Sequence, residues 1–404
     1  MQDNLEIKGK VNTAIAYAKV IEDEAIEQIR RMCDFELTEG SRIRIMPDVH
    51  AGAGCTIGTT MTVTDKVCPN IVGVDIGCGM YTVKLGEKDI DFAKIDEAAH
   101  FIPSGMNVWE GRRERFDLTE LTCYRELKDT KRLERSLGTL GGGNHFIEVD
   151  EAADGTKYLV IHSGSRNLGK QVAEIHQSIA VDLHSGKEEY FRKRDEIIRS
   201  YKEQGRKYEI QAALRTLKNE TVTHESRIPK ELCWLYGEFL ENYLKDVVIC
   251  QRFARRNREL MAKIILDRAG LSAADAFHTI HNYIDTDEMI LRKGAIAAHE
   301  GELVLIPINM RDGSVLAKGR GNAEWNFSAP HGAGRIMSRK AAKETIDLEA
   351  FRKAMEGVYT TSVSTNTLDE APMAYKSLGD IIDVISSTVD VIEVLKPVYN
   401  FKAD

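Results

Sequence analysis

The sequence predicts an α+β fold in a single domain, a β-rich core interrupted by one helical block. Three observations lead there. Short apolar runs broken by Gly and Pro recur in "RIRIMPDVHAGAGCTIGTTMTV", "HFIEVD", "KYLVIHSG" and "ELVLIPINM", the texture of strands and turns. Residues 169–265 instead carry long charged amphipathic patterns with helical spacing, such as "EEYFRKRDEIIRSYKEQGRKYEIQAAL" and "LENYLKDVVICQRFARRNRELMAKIIL". No Pro/Gly/Ser linker separates the two textures, and strands resume after the helices. The chain of 404 residues therefore reads as one domain, 1–404, with a helical insertion at about 169–265.

Taken in order, residues 14–34 show helical spacing, and the run from Arg42 to Val63 reads as strands and turns. "NIVGVDIG" reads as a further strand. From 92 to 135 the chain is polar and mixed. "HFIEVD" and "KYLVIHSG" are strands separated by the turn "EAADGTK", and the helical block follows. "ELVLIPINM" and "SVLAKGRG" form a hairpin. "AGRIMSRKAAKETI" and "SLGDIIDVISSTVDVIEVL" read as helices before the closing "KPVYNFKAD".

The totals bound the class. Hydrophobic residues at 43% and charged residues at 29% belong to an ordinary globular chain with a sizeable core. With 55 basic against 63 acidic residues, the formal charge of −8 argues against a uniformly basic surface for coating nucleic acid. A local basic funnel remains compatible, because the field at a site depends on how charge is arranged. The seven cysteines contain no CxxC pair, the start "MQDNLEIKGK" lacks an apolar leader, and no apolar run reaches membrane length. A cytoplasmic chain with reduced thiols and no membrane partner is expected.

The chemistry-bearing residues gather where strands meet glycine-rich turns, the places where backbone can approach a ligand closely. Asp75 and Cys78 close the expected strand "NIVGVD". Read singly, they are a turn acid and a small buried hydrophobe. Read with His145, which follows "GTLGGGN", and His162, which ends "YLVIH", they are a metal site. Thiolate, carboxylate and imidazole suit zinc, manganese, iron or cobalt, and a thiolate can bridge two ions. The two histidines are separated by one hairpin's length of chain, so adjacent antiparallel strands can bring both to one cavity. His278 and His281 stand three apart and would share a face on a helix. His50, His176, His184, His224 and His299 read as ordinary loop or helix-surface residues, and His100 has no chemical partner in sequence.

"HGAGRIMSRKAAKE" is the sharpest stretch. A helix expected to begin at about Arg335 would present free N–H groups as an anion site. Arg335 and Arg339, four apart, would project along one side of it. A histidine beside that positive terminus has its charged form disfavoured, and neutral imidazole is the nucleophile. His331 is thus placed to attack or hold a phosphate. "SGSRNLGK", with Arg166, resembles a second anion loop. The arginines at 252, 255, 256 and 258 mark either an RNA face or a solvated helix surface.

"MPDVHAGAG", "VGVDIGCGM", "LGTLGGGNHFIEV", "IHSGSRNLG", "HN", "RKGA", "HGAGRIMSR", "APMAYK" and a near-terminal lysine occur here in this order. Over roughly residues 40–402 the chain thereby resembles the RtcB-type RNA ligases, the tRNA-splicing ligases. The resemblance implies a GTP- and manganese-dependent enzyme of RNA splicing or repair. It joins an RNA 3′-phosphate or 2′,3′-cyclic phosphate to a 5′-hydroxyl, through a guanylylated histidine and an RNA-(3′)pp(5′)G intermediate. By the same resemblance, Asp75, Cys78, His145, His162 and His281 hold two Mn2+ ions, with Cys78 between them. His331 is the nucleophile and Asp48 orients it. Asn144, His145, Phe146, Ile147, Glu148, His281, Asn282, Pro307, Ile308, Asn309, Met310, Ser314, His331, Gly332, Ala333, Gly334 and Lys402 line the nucleotide pocket. Arg166, Arg335 and Arg339 contact RNA phosphates. The family's usual "PGSMG" is "PINMRDGS" here, "SGSRG" is "SGSRN", and Ala403 and Asp404 follow Lys402 in place of a terminal glycine. These departures imply a divergent branch with its own repair substrate. A metal-dependent phosphoesterase that opens cyclic ends without joining them would share the metal ligands but not need His331.

Overall fold

Two β-sheets meet along a seam, and a long helix packs beneath it. The computed structural model describes residues 4–18, 20–52, 54–86 and 89–402. The first three residues of "MQDNLEIKGK", the second alanine of "MPDVHAGAG" and the last two residues of the terminal "FKAD" lie outside the described residues. The first sheet has the order Leu5–Lys8, Thr13–Ala16, Ile43–His50, Ile57–Thr62, Ile290–Lys293 and Asn282–Asp285. The second runs Ala273–Ile280, Gly79–Leu85, Lys157–Ser163, Phe146–Glu151, Val389–Lys402, Gly313–Gly319 and Leu303–Asn309, with Tyr359–Thr360 added alongside Val389–Lys402. Almost every pairing is antiparallel, as short connections demand; Thr13–Ala16 with Ile43–His50 is parallel.

Several details of the sheets place side chains at the seam. Strand Ile43–His50 contains Pro47, which cannot donate to a ladder. The register with Ile57–Thr62 breaks between Ile45 and His50, and Asp48, just past the proline, is fully buried. His281 stands where the chain leaves the second sheet at Ile280 and enters the first at Asn282. Its backbone N–H donates to Cys78 O at 2.9 Å, and its carbonyl accepts from Gly294 N at 2.7 Å. His145 and His162 come together as the hairpin reading expects, because Phe146 pairs with His162 across the two strands.

The helical block consists of Arg166–His184, Glu188–Glu203, Ile210–Glu220 and Gly237–Ala269, close to the expected span. The 33-residue helix Gly237–Ala269 buries Cys250, Phe253, Ala254, Met261 and Ile265 on one stripe, and Gly270 ends it in the left-handed conformation. The α+β class and the "ELVLIPINM"/"SVLAKGRG" hairpin hold.

Five local expectations do not. Residues 14–34 divide into the strand Thr13–Ala16 and the helix Asp23–Cys33. "NIVGVD" is no strand: Pro69–Val72 forms a short helix, begun by a proline whose missing N–H costs nothing at that position and stopped by Gly73 at φ 95°. Asp75 and Cys78 therefore sit in the turn before strand Gly79–Leu85. His278 lies on strand Ala273–Ile280 opposite Tyr81, so it shares no helical face with His281. The helix after His331 starts only at Arg339, where the Ser338 side chain accepts from Ala341 N at 3.1 Å. Arg335 instead pairs with Tyr375. Finally, "SLGDIIDVISSTVDVIEVL" is helical only over Leu378–Ile385, and its β-branched second half is the start of strand Val389–Lys402. All seven cysteines are free and buried. Among the described residues no helix is long and apolar enough to cross a membrane.

Candidate active site

Two triads of ligand atoms share one sulfur. Cys78, His162 and His281 form the first; Asp75, Cys78 and His145 form the second. Cys78 Sγ lies 3.5 Å from His145 Nε2 and 3.4 Å from His162 Nε2. His162 Nε2 lies 3.3 Å from His281 Nε2, and His145 Nε2 lies 3.0 Å from Asp75 Oδ2. The five residues named from sequence thus converge, and His278 points elsewhere, stacked on Tyr81 and facing Glu259.

The residues present fit a cation pair. His145 Nδ1 bonds Leu140 O at 2.9 Å, and His162 Nδ1 bonds Asn144 O at 3.0 Å. Each Nδ1 must carry the proton to donate to a carbonyl, so each Nε2 presents a bare lone pair to the cluster. Burial, reinforced by the neighbouring histidines, pushes His162 far down; burial and His331 do the same to His281. Neutral imidazoles facing one another across 3.3 Å are repulsive with nothing between them and favourable around a metal ion. Burial and the Asp75 carboxylate push the Cys78 thiol well up, so a cation must replace its proton before it serves as thiolate. Asp75, though burial opposes its charge, is held below the usual carboxylate range by His145 and Arg166. Gly164 has no room for a side chain: a Cβ there would overlap the Asp75 carboxylate.

His331 stands beside this cluster, its ring 5.0 Å from that of His281. Its Nδ1 bonds the buried Asp48 Oδ2 at 2.6 Å. The carboxylate, not a helix terminus, is therefore what governs this imidazole, and it leaves Nε2 directed away from Asp48. Asp48 is reached because Gly58 and Gly334 let backbone run against it.

A cavity of about 230 Å³ opens from His331 and His281. Asn144, Phe146, Glu148, Pro307, Ile308, Asn309, Met310, Gly332, Ala333, Gly334 and Lys402 line it as named from sequence. A second cavity on the other side of His331 reaches Asp75, Cys78, Asn282 and Lys293. Three named residues are on neither wall: His145 sits within the ligand cluster, and the other two turn away. Ile147 points into the core with Val149, since alternate residues of a strand face opposite ways. Ser314 is fully buried beside Asp150.

The family model for the tRNA-splicing ligase RtcB matches residues 28–128 and 112–403. The chain belongs to the RtcB family. Among its relatives, the RNA-splicing ligase RtcB of Escherichia coli K12 is 29% identical over 398 residues, covering 88% of each chain. The tRNA-splicing ligase RtcB of Thermococcus kodakarensis is 26% identical over 424 residues, covering 84% of this chain and 83% of its own. The RNA-splicing ligase RtcB of Mycobacterium bovis is 26% identical over 427 residues, covering 84% and 91%.

In this RtcB-family chain the far end of the cavity is an ionic network that spacing did not reveal. Glu370 is buried between Lys402, Arg339 and Tyr375, whose hydroxyl donates to it at 2.8 Å. Burial opposes its charge, yet Lys402 and Arg339 hold the carboxyl down at about 2. Arg335 donates to Asp369 O at 2.6 Å and to Tyr375 Oη at 3.1 Å, and Arg339 bonds Asp369 Oδ2 at 2.7 Å. Arg166 donates to Gly105 O at 2.7 Å and Thr139 Oγ1 at 3.1 Å. Burial pushes the Glu148 carboxyl up, and burial together with Glu148 pushes Asp150 further, so the two share a proton rather than ionise together. His50, Ile57, Glu370, Tyr375 and Asn400 also line the cavity. Tyr375 lies inside "APMAYK" and His50 inside "MPDVHAGAG"; His50, expected as an ordinary loop or helix-surface histidine, instead faces the cavity and bonds Asp48 O at 3.0 Å.

Proposed function

We propose that this chain is an RNA ligase of splicing or repair that uses GTP and manganese to join a 3′-phosphate or 2′,3′-cyclic phosphate end to a 5′-hydroxyl end. The observation that carries the reading is His331, oriented by a buried carboxylate at the lip between a cavity and two candidate ligand groups that share the Cys78 sulfur. Asp75, Cys78, His145, His162 and His281 would hold two Mn2+ ions, which supply Lewis-acid polarisation of phosphate oxygens and an activated water.

The protein's own residues do the rest. Asp48 accepts a hydrogen bond from Nδ1–H and stabilises the positive charge that builds on the imidazole, while Nε2 attacks the α-phosphorus of GTP. An N–P bond forms and pyrophosphate leaves. The first cavity holds the guanosine, with Phe146, Pro307 and Met310 as apolar walls and Glu148, Asn144 and Lys402 as polar contacts. The RNA 3′-phosphate then attacks the guanylyl phosphorus and frees His331, giving RNA-(3′)pp(5′)G. The 5′-hydroxyl attacks the activated 3′-phosphorus and GMP leaves. Cyclic ends are opened by water first. Arg166, Arg335 and Arg339 contact RNA phosphates, Arg339 most directly because half its side chain is exposed. Both halves are phosphoryl transfers, in which positioning and charge stabilisation dominate.

Incubation with α-labelled GTP and Mn2+ tests this. An acid-labile label on the wild type that His331→Ala lacks, together with ligation of a broken RNA, is expected. No label with retained opening of cyclic ends would make the chain a phosphoesterase instead.

A further inference from the structure

The helix Gly237–Ala269 has polar residues where its buried stripe calls for apolar ones. Cys250, Phe253, Ala254, Met261 and Ile265 lie on that stripe, and Asn257 and Arg258 fall among them at the same spacing, both fully buried. Fully buried arginine is rare and costly unless it is well paired.

Their hydrogen bonds all go to the loops that carry the metal ligands. Asn257 Oδ1 accepts from Gly138 N at 2.7 Å and Thr139 N at 3.0 Å. Its Nδ2 donates to Thr139 O, Ser163 Oγ and Gly164 O, each at 3.1 Å. Arg258 Nη1 donates to Gly77 O at 2.8 Å and Ser163 O at 2.7 Å. Gly77 precedes Cys78; Ser163 follows His162; Gly138 and Thr139 open the turn whose Leu140 carbonyl fixes His145. Two neighbouring residues therefore tie together the three segments that present Asp75, Cys78, His145 and His162. Arg258 Nε and Nη2 find no acceptor among the described residues, and the acidic groups acting on the guanidinium are Cys78, once its proton is displaced, Asp75 and Glu259.

We propose that Asn257 and Arg258 are a positioning pair for the metal centre, Asn257 fixing the ligand loops and Arg258 both clamping the Cys78 and His162 segments and supplying the buried positive charge that balances the thiolate and carboxylate. The proposal rests on the reading that this cluster binds metal. It gives the helical block a function: the helix that packs the insertion against the sheets also sets the geometry of the centre. It separates Arg258 from Arg252, Arg255 and Arg256, which pair with Glu120, Glu259 and Glu114 on the surface.

Cobalt(II) titration of the full chain tests it, read by the thiolate-to-cobalt charge-transfer band and by affinity, with the melting temperature of the metal-free protein measured alongside. Arg258→Met, which keeps bulk and loses charge and both carbonyl bonds, is expected to bind cobalt about 10- to 100-fold more weakly with a reduced band. Arg258→Lys, which keeps the charge, is expected between that variant and wild type. A merely structural role would lower the metal-free melting temperature and leave affinity and band as in wild type; that result overturns the proposal while the metal reading stands. Where Arg258→Met does not fold, Arg258→Lys decides: weakened affinity supports the proposal and wild-type affinity overturns it. A wild type that binds no cobalt overturns the metal reading and the proposal with it.

Discussion

A histidine serves as a nucleophile only when one ring nitrogen is bare, and at residue 331 the assignment is made by Asp48. Sequence reasoning singled out His331 from a local feature that the fold does not have. It placed a helix terminus next to His331, but the helix begins eight residues later and the local field comes from a buried carboxylate 283 positions away in sequence. That contact could not be read from spacing; the family resemblance supplied it. Glu370 shows the same limit. Nothing in "LDEAPMAYK" announces a buried acid, because its burial depends on Lys402, Arg339 and Tyr375 arriving from separate segments. Its carboxyl is held at about 2 against an ordinary glutamate value of 4.5. A depressed acid stabilises the fold above its unfolded pKa and loses that contribution as pH falls toward its folded value. The expected size is about 3 kcal/mol, lost progressively between about pH 4.5 and pH 2. Denaturant melts at stepped pH should show wild-type stability falling over this window and Glu370→Gln giving a flatter profile there; parallel profiles would contradict the assignment.

At the scale of elements, what the sequence disclosed follows from its periodicity. The hairpin that juxtaposes His145 and His162, the hairpin of "ELVLIPINM" and the helical block were all legible, because alternation and 3.6-residue spacing persist over enough residues. The short helix at Pro69–Val72 was not, since four residues, three of them buried, look the same in strand or helix. Nor was the change from helix to strand after Ile385, where the apolar pattern resumes just three residues on, past Ser386, Ser387 and Thr388. Turns place the ligands, and the one before Cys78 packs Gly77 against the long helix. Gly77 has φ 79°, and a Cβ there would lie 2.9 Å from Ala254 Cβ and 3.0 Å from Gln251 Cα of the long helix. Gly77→Ala is expected to cost about 2 kcal/mol or more and to shift Cys78. Gly143→Ala has a similar φ of 74° and nothing within 4 Å, so it should cost only the backbone strain, about 1 kcal/mol. Equal losses in urea unfolding would mean that the helix contact plays no part.

Across the whole molecule, the site exists because two sheets and a helix share one seam. The first sheet brings Asp48, the second brings His145 and His162, the chain crosses between them at His281, and Asn257 and Arg258 tie the ligand turns to the helix beneath. This explains why residues from 48 to 402 are needed for a single cavity, and why the family match covers nearly the full chain. It also explains why a surface that is acidic overall serves an RNA-joining chemistry: the basic residues Arg335, Arg339 and Lys402 are collected at one end of the cavity. On the proposed reading Cys78 stands between two cations. Crystals soaked in manganese and measured by anomalous diffraction at the manganese edge test it directly. Two peaks are expected on either side of Cys78 Sγ, one among His162 and His281 and the other among Asp75 and His145. No density at these residues, or manganese bound only elsewhere on the chain, would contradict it.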